Sequence, residues 1–244
     1  MKAMIFAAGL GTRLRPITDT KPKALVAVGG MTLLEIAIKR LKSIGCQDII
    51  INIHHFGQQI VDYIQQNDYF GIKIQFSDES EKLLDTGGGL KKAAWFFDDA
   101  PFFVYNADIL SDIDLKAMYD NHLKNNPLAT LAVKTRKSSR QLLFDDQESL
   151  CGWENVVSGE KKIARAVSPL HPLAFSGIHV IHPAIFEFFP DEAVFSIIDL
   201  YLEIAKTKEI RGFRHEQSFL HDVGKLDSLE KAAEYVQQLF PKQQ

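Results

Sequence analysis

The chain of 244 residues is poor in cysteine, with only Cys46 and Cys151. Two isolated cysteines supply neither a disulfide framework nor a four-ligand zinc site, and both read as reduced thiols. No apolar run approaches the ~20 residues of a membrane span. The N-terminus goes straight into a strand, without a basic n-region, an apolar h-region and a cleavage site. A cytoplasmic protein with no membrane partner is expected. Charge of one sign is also lacking: 28 Lys plus Arg stand against 31 Asp plus Glu, for a net charge of -3. That balance gives no sign of a nucleic-acid-binding surface. H-E-x-x-H, G-x-S-x-G and any Ser/His/Asp set are absent, so hydrolysis through a nucleophilic side chain is not expected. The dinucleotide fingerprint G-x-G-x-x-G fails because Leu14 stands where the third glycine belongs, and no Gly-Lys-Ser/Thr of a P-loop is present. Internal repeats, low-complexity tracts and linkers are missing too.

What is present is concentrated near the N-terminus. The apolar run Met4–Ala8 predicts a buried strand that breaks into Gly9-Leu10-Gly11-Thr12, and Arg13, Arg15, Lys21 and Lys23 follow at once. Glycines let the backbone come close to a ligand, so successive amides can face anionic oxygens, and clustered cations can neutralise a polyphosphate. In a mildly acidic protein this local concentration favours a small anionic ligand, a nucleoside triphosphate. A bare G-x-G would be an ordinary strand–turn with solvated charges. Thr12, Arg13, Pro16, Pro22 and Lys23 together outweigh that reading.

Strand and helix patterns alternate through the first half. Strands are expected at Met4–Ala8, Asp48–Ile53, Ile72–Phe76 and Phe102–Tyr105. Helices are expected at Leu33–Ile44, Gly57–Gln66, Gly88–Phe96 and Asp114–Asn125, the last with Asp112 as its cap. Such alternation implies parallel βαβ units and an α/β sheet covered by helices on both faces. Beyond the strand Leu128–Val133, residues 135–174 have the look of an inserted β-rich segment. A strand at Phe175–Ile181 and helices at Ser196–Lys206 and Asp227–Leu239 follow, the last opening on the capping-box variant Asp227-Ser-Leu-Glu230. The length suits one large domain, 1–244, divided into halves 1–125 and 126–244.

The strand ending at Tyr105 leads into Asn106-Ala107-Asp108, and ligands of open α/β sheets sit at carboxyl ends of strands. A second acidic residue lies in His221-Asp222-Val-Gly224. With a triphosphate loop in the same chain, Asp108 and Asp222 suggest a Mg²⁺ site, since Mg²⁺ is held by one or two carboxylates plus substrate phosphates. The competing reading makes each aspartate a cap. Leu84-Asp-Thr86-Gly87-Gly88-Gly89 is a second glycine-rich turn, where a nucleobase edge is the preferred occupant and a plain tight turn the alternative. Phe175-Ser176-Gly177-Ile178 puts a glycine inside a strand, marking either a ligand against the sheet or only a bulge. His54 and His55 point to opposite faces of extended chain, with Asn52 on the face of His54, so the histidines are not a metal pair.

Assembled, the segments AAGLGTRLRP, PK, TGGG, N-x-D, FSGI and DVG resemble the sugar-1-phosphate nucleotidyltransferases, over nearly the whole chain. The similarity is strongest to the compact N-acetylmuramate-, heptose- and mannose-phosphate types. The resemblance implies the nucleotide-diphospho-sugar transferase fold, a Rossmann-like, mixed, mainly parallel sheet. It implies transfer of a nucleotidyl group from a nucleoside triphosphate, UTP or GTP favoured, to a sugar 1-phosphate, with release of pyrophosphate. Arg13 and Lys23 would meet the phosphates, and Asp108 and Asp222 would hold Mg²⁺. Ala8, Gly9, Gly11, Thr12, Asn52, Thr86, Gly87 and Gly88 would border the nucleotide, and Asn106, Ser176 and Gly177 the sugar. A monomer or small homo-oligomer is expected. The lysine that many relatives carry in Glu-Lys-Pro is missing, with Lys134, Arg136, Arg140 and Arg165 as substitutes. A non-sugar acceptor (a choline or terpenoid alcohol phosphate) and a silent nucleotide-binding regulator are the alternative functions.

Overall fold

The N-terminal apolar run forms β1 (Lys2–Phe6), two residues earlier than the hydrophobic pattern places it. Pairing stops at Phe6 because the next amide, Ala7 N–H, donates to Asn52 Oδ1 at 2.7 Å instead of to a neighbouring strand. The computed structural model describes residues 1–224 and 229–240. A short hairpin of β2 (Ala27–Val28) and β3 (Met31–Thr32) leads into α1 (Leu33–Ser43), whose first turn is capped by Thr32 accepting from Glu35 N–H. Then come β4 (Asp48–Ile53), α2 (Gly57–Gln66) and β5 (Lys73–Asp78). Strand β4 is apolar almost throughout, as a parallel strand covered on both faces must be. It pairs in parallel with β1 on one side and β5 on the other.

Helix α3 (Asp85–Lys92) begins three residues before the expected Gly88, so the glycines lie inside it. Strand β6 (Phe102–Asn106) and β7 (Ile109–Ser111) precede α4 (Leu115–Asn125). The cap of α4 is Asp114, which accepts from Ala117 N–H at 2.9 Å, and not Asp112. Asp112 instead accepts the Phe219 N–H at 2.8 Å, a tertiary bond that local spacing does not reveal.

The segment 135–174 is β-rich as expected. Following β8 (Ala129–Lys134), it supplies β9 (Arg140–Phe144), β10 (Leu150–Asn155), β11 (Lys161–Ile163) and the start of β12 (His171–Ile181). Helix α5 (Ile197–Ala205), capped by Ser196, precedes β13 (Ile210–Arg214), β14 (Leu220–Asp222) and α6 (Leu229–Leu239). Asp227 and Ser228 of the expected capping box lie outside the described residues.

Two compact units emerge. The first comprises 1–83, 104–113 and 218–244, and the second 84–103 and 114–217. In the first, β1, β4 and β5 are parallel, and β7 pairs antiparallel with β14. One of its buried clusters joins Leu14, Val26, Leu33, Ile36, Leu110, Val223 and Val236. In the second, β12 pairs antiparallel with β8 and β9, β8 pairs in parallel with β13, and β9, β10 and β11 form an antiparallel meander. The class is α/β with a mixed sheet, as the sequence leads one to expect. No helix of the described residues is long and apolar enough to cross a membrane.

Candidate active site

In the first unit the loop after β1 is shaped by two glycines with different reasons for being there. Gly11 has φ +64°, and a Cβ on it would stand 3.0 Å from Lys23 Cβ and from Thr18 Cγ2. Its carbonyl accepts from Leu14 N–H (2.9 Å) and the Thr18 hydroxyl (2.8 Å), closing the loop onto the Lys23 segment. A Cβ on Gly9 would meet nothing within 4 Å. Among the described residues no neighbour explains Gly9, which is exposed, so the room it leaves faces outward. Ala8 is buried behind it, and Thr12 and Arg13 are exposed.

The four cations of this region part ways. Arg15 pairs with Asp19 at 3.2 Å in solvent, and Lys21 is exposed. Lys23, only 13% exposed, donates to Asp108 Oδ2. Arg13 converges with Asp222 on Gly224: a Cβ there would stand 2.9 Å from Asp222 Oδ1 and 3.0 Å from Arg13 Nη2. Both partners are anchored by their neighbours in the chain, because Leu14 and Val223 share the same buried cluster.

The aspartates are brought together by β7 and β14. Asp222 pairs with Ile109, and Val223 N–H donates to the Asp108 carbonyl at 2.9 Å. The turn carrying Asp108 is pinned twice more. Ala107 N–H donates to the Phe6 carbonyl at 3.1 Å, and the buried Tyr105 hydroxyl donates to the Ile109 carbonyl at 3.1 Å. Burial pushes the Tyr105 hydroxyl up to about 12, so it stays a neutral donor. Asn106 ends β6, half-buried beside this turn. Among the described residues no group of three or more His, Cys, Asp or Glu could hold a metal ion. Two aspartates on neighbouring backbone segments would suit Mg²⁺, which completes its shell with water and substrate phosphate oxygens.

Asn52 has a different place from the one expected. It is buried, its Oδ1 taken by Ala7 N–H and its Nδ2 donating to Glu79 Oε1 at 2.7 Å. Its side chain fixes the end of β1 and is not turned to a ligand. Tyr105 and Glu79 thus support the site without any local motif that announces them, while Gly224 belongs to the DVG segment.

The second unit revises the reading of its glycines. A Cβ on Gly88 would lie 2.1 Å from the Ala193 carbonyl oxygen, and one on Gly87 would lie 2.3 Å from Phe195 ring carbons. Both amides donate to the Phe195 carbonyl, at 2.9 and 3.3 Å, while Thr86 Oγ1 accepts from Ile197 N–H at 3.0 Å. The N-termini of α3 and α5 therefore satisfy each other's free donors. The close approach at Gly87 and Gly88 is to this chain's own residues 193–195, not to a nucleobase.

The glycine in β12 marks a bulge: Gly177 has φ +71°, and the register with β8 shifts between Phe175 and His179. Ser176 is buried with its hydroxyl 2.8 Å from His215 Nε2, so it does not present that hydroxyl to a sugar. Of the proposed substitutes for the missing lysine, Lys134 and Arg136 donate to the carbonyls of Glu216 and Phe175. Arg140 and Arg165 are exposed and form no ion pair or side-chain hydrogen bond among the described residues.

Residues 2–142 match the family model described as nucleotidyl transferase. The chain is 30% identical to the N-acetylmuramate alpha-1-phosphate uridylyltransferase of Neisseria meningitidis, over 95% of its own length and 96% of that protein. It is 31% identical to a mannose-1-phosphate guanyltransferase of Yarrowia lipolytica over 76% of its length, spanning half of that longer protein. A solved UDP-glucose pyrophosphorylase from Acinetobacter baumannii shares the fold with a TM-score of 0.79 at 17% identity, over 99% of this chain and 94% of the other. With the loop after β1, its cations and the paired aspartates in place, the chain belongs to the nucleotidyl transferase family, among the sugar-1-phosphate nucleotidyltransferases.

Proposed function

We propose that the chain transfers a uridylyl group from UTP to a sugar 1-phosphate, with Arg13, Lys23, Asp108 and Asp222 as its working groups. The observation that carries this is the convergence of those four side chains in the first unit, beside a Gly9 that leaves its space open. UTP is preferred over GTP because the similarity to the uridylyltransferase extends over 96% of that protein and that to the guanyltransferase over 50%. N-acetylmuramate 1-phosphate is accordingly the first acceptor to test.

In the reaction an oxygen of the sugar 1-phosphate forms a bond to the α-phosphorus of the triphosphate. The bond from that phosphorus to the bridging oxygen breaks, and pyrophosphate leaves with the electron pair. The attacking oxygen is already anionic at neutral pH, so no side chain has to remove a proton. The barrier lies in bringing two polyanions together, and positioning plus charge neutralisation lowers it. Arg13 meets the charge that grows on the leaving pyrophosphate, and Lys23 neutralises the phosphates from the floor of the loop. The open side of Gly9 and the exposed Thr12 admit the triphosphate. Asp108 and Asp222 would hold Mg²⁺, which when bound would offset phosphate charge. Asn106, half-buried at the end of β6 and two residues from Asp108, borders the acceptor in this reading. The buried thiols of Cys46 and Cys151 suit the cytoplasm, the compartment proposed.

Pyrophosphate release tests this, crossing UTP, GTP, CTP, ATP and dTTP with N-acetylmuramate, mannose and glucose 1-phosphates, choline phosphate and a terpenoid alcohol phosphate. Release with UTP and a sugar 1-phosphate is expected. Release only with a non-sugar acceptor, or none with any pair, overturns the proposal.

A further inference from the structure

In the first unit the backbone that carries Asp108 is held by polar side chains that no motif of the sequence marks. Arg40 stands in the last turn of α1, half-buried, where a cation suits the helix dipole. Its Nη2 donates to the Ile113 carbonyl, 73 residues further along the chain. Its Nε is buried and has no hydrogen-bond partner among the described residues. The guanidinium also acts on the Tyr105 hydroxyl. Burial raises that group most, the charge and donors of Arg40 oppose the rise, and the charge of Asp108 adds to it.

Tyr105 and Ile113 bracket the segment, and Asp108 lies between them. At one end Tyr105 closes the turn by donating to the Ile109 carbonyl at 3.1 Å. At the other end Ile113 N–H donates to Ser111 Oγ at 3.2 Å, and the buried Ser111 hydroxyl donates to the Phe219 carbonyl at 2.7 Å. Phe219 leads directly into β14, the strand that ends in Asp222. One cation therefore reaches both ends of the Asp108 segment, and one hydroxyl ties the far end to the strand of the second aspartate.

Stability is a poor reason for an arginine here. A buried donor left without an acceptor costs about 1–3 kcal/mol, and apolar packing in place of a buried charge is often neutral or stabilising. What the guanidinium supplies is geometry: a planar, permanently charged fork that holds separate acceptors at a fixed spread. We propose that Arg40 is a positioning residue, which through Tyr105 and Ile113 holds the Asp108 segment against β14 so that Asp108 and Asp222 meet one divalent cation. That the two aspartates take the metal rests on the proposed function; the hydrogen bonds of Arg40 do not. Arg40 acts at one remove and is not itself a metal ligand.

The test is a double-mutant cycle read by Mn²⁺ binding to the protein without nucleotide, with free Mn²⁺ measured by electron paramagnetic resonance. Arg40→Met and Tyr105→Phe should each weaken Mn²⁺ binding, Arg40→Met about tenfold, the size of one lost polar contact. The double variant should bind no more weakly than the weaker single variant, because both changes release the same turn. General loosening of the fold would instead make the two losses multiply. In pyrophosphate release, Arg40→Met should need about ten times more Mg²⁺ for half-maximal rate and regain most of its turnover at saturating Mg²⁺. Should Arg40→Met fail to fold, Arg40→Lys, which keeps the charge and loses the fork, takes its place in the cycle. Unchanged Mn²⁺ affinity in the Arg40 variant, multiplying losses in the double variant, or no Mn²⁺ binding by the wild type overturns the proposal. Failure of the proposed function shows differently, as no pyrophosphate from the unaltered protein with any pair of substrates, and the Mn²⁺ cycle then still decides the role of Arg40.

Discussion

Two glycine clusters, alike in sequence, do opposite things in this molecule. In the first unit the position beside Gly9 is open, and Gly11 lets the loop fold back on Lys23. In the second unit Gly87 and Gly88 are closed against residues 193–195, and their amides are consumed by the Phe195 carbonyl. Both runs precede or open a helical turn, and both have the composition of a phosphate- or base-binding turn. Only the first has free space beside it. A glycine signals that something comes close, and only the tertiary structure says whether it is a ligand or the chain itself.

The comparison can be broken most sharply at Arg13. Arg13→Ala should cut turnover about a hundredfold or more, the usual loss for one group that stabilises developing charge. Its melting temperature should stay close to wild type, because the side chain is exposed. Near-normal turnover in a purified variant would remove Arg13 from the site. Next come the glycines themselves. Gly88→Val should destabilise the fold on the order of 3 kcal/mol, since its new carbons overlap the Ala193 carbonyl. Gly9→Val should leave the melting temperature unchanged and weaken UTP binding in calorimetric titration. The reverse pattern would exchange the roles of the two clusters.

A smaller effect is expected at Gly224. Gly224→Ala places a methyl group 3.0 Å from Arg13 Nη2 and 2.9 Å from Asp222 Oδ1, so the guanidinium must shift. Turnover should fall about tenfold while the KM for sugar 1-phosphate holds, because a displacement near the reacting centre costs rate before binding. An unchanged turnover would show that Arg13 has another way to its place.

A separate effect concerns acid stability and the second unit alone. Burial lowers His179 to about 3 and His122 to about 4, the latter helped by His182, from an ordinary 6.5. The unfolded chain therefore takes up protons that the folded chain refuses. Their contribution is present in full above about pH 6.5 and is lost progressively as the pH falls toward 4. His122→Gln should flatten the slope of denaturant midpoint against pH between 6.5 and 4. An unaltered slope would mean that His122 is protonated in the folded state.

Much of the first unit was legible because local chemistry decides it. The near-continuous apolar run of β4 and the amphipathic α2 fall where the pattern puts them, and the cations after β1 come from a contiguous segment. The paired aspartates were legible as candidates only, since their meeting depends on β7 finding β14 across more than a hundred residues. What escaped is long-range in the same sense. The Asn52–Glu79 clamp, the Tyr105 hydroxyl on Ile109, the preference for Asp114 over Asp112 and the contact of Gly88 with Ala193 all depend on partners distant in the chain or on turn geometry.

The central claim is that the Asp108–Asp222 pair and the cations beside it run the transfer. Pyrophosphate release measured against Mg²⁺ concentration, for the wild type, Asp108→Asn and Asp222→Asn, tests it most directly. The account predicts no release from the wild type under chelation, with the fold intact by circular dichroism because its core needs no metal. It predicts severely reduced turnover in each variant, partly restored by raised Mg²⁺ or Mn²⁺. Full activity of either variant at low Mg²⁺, or undiminished release from the chelated wild type, would contradict it.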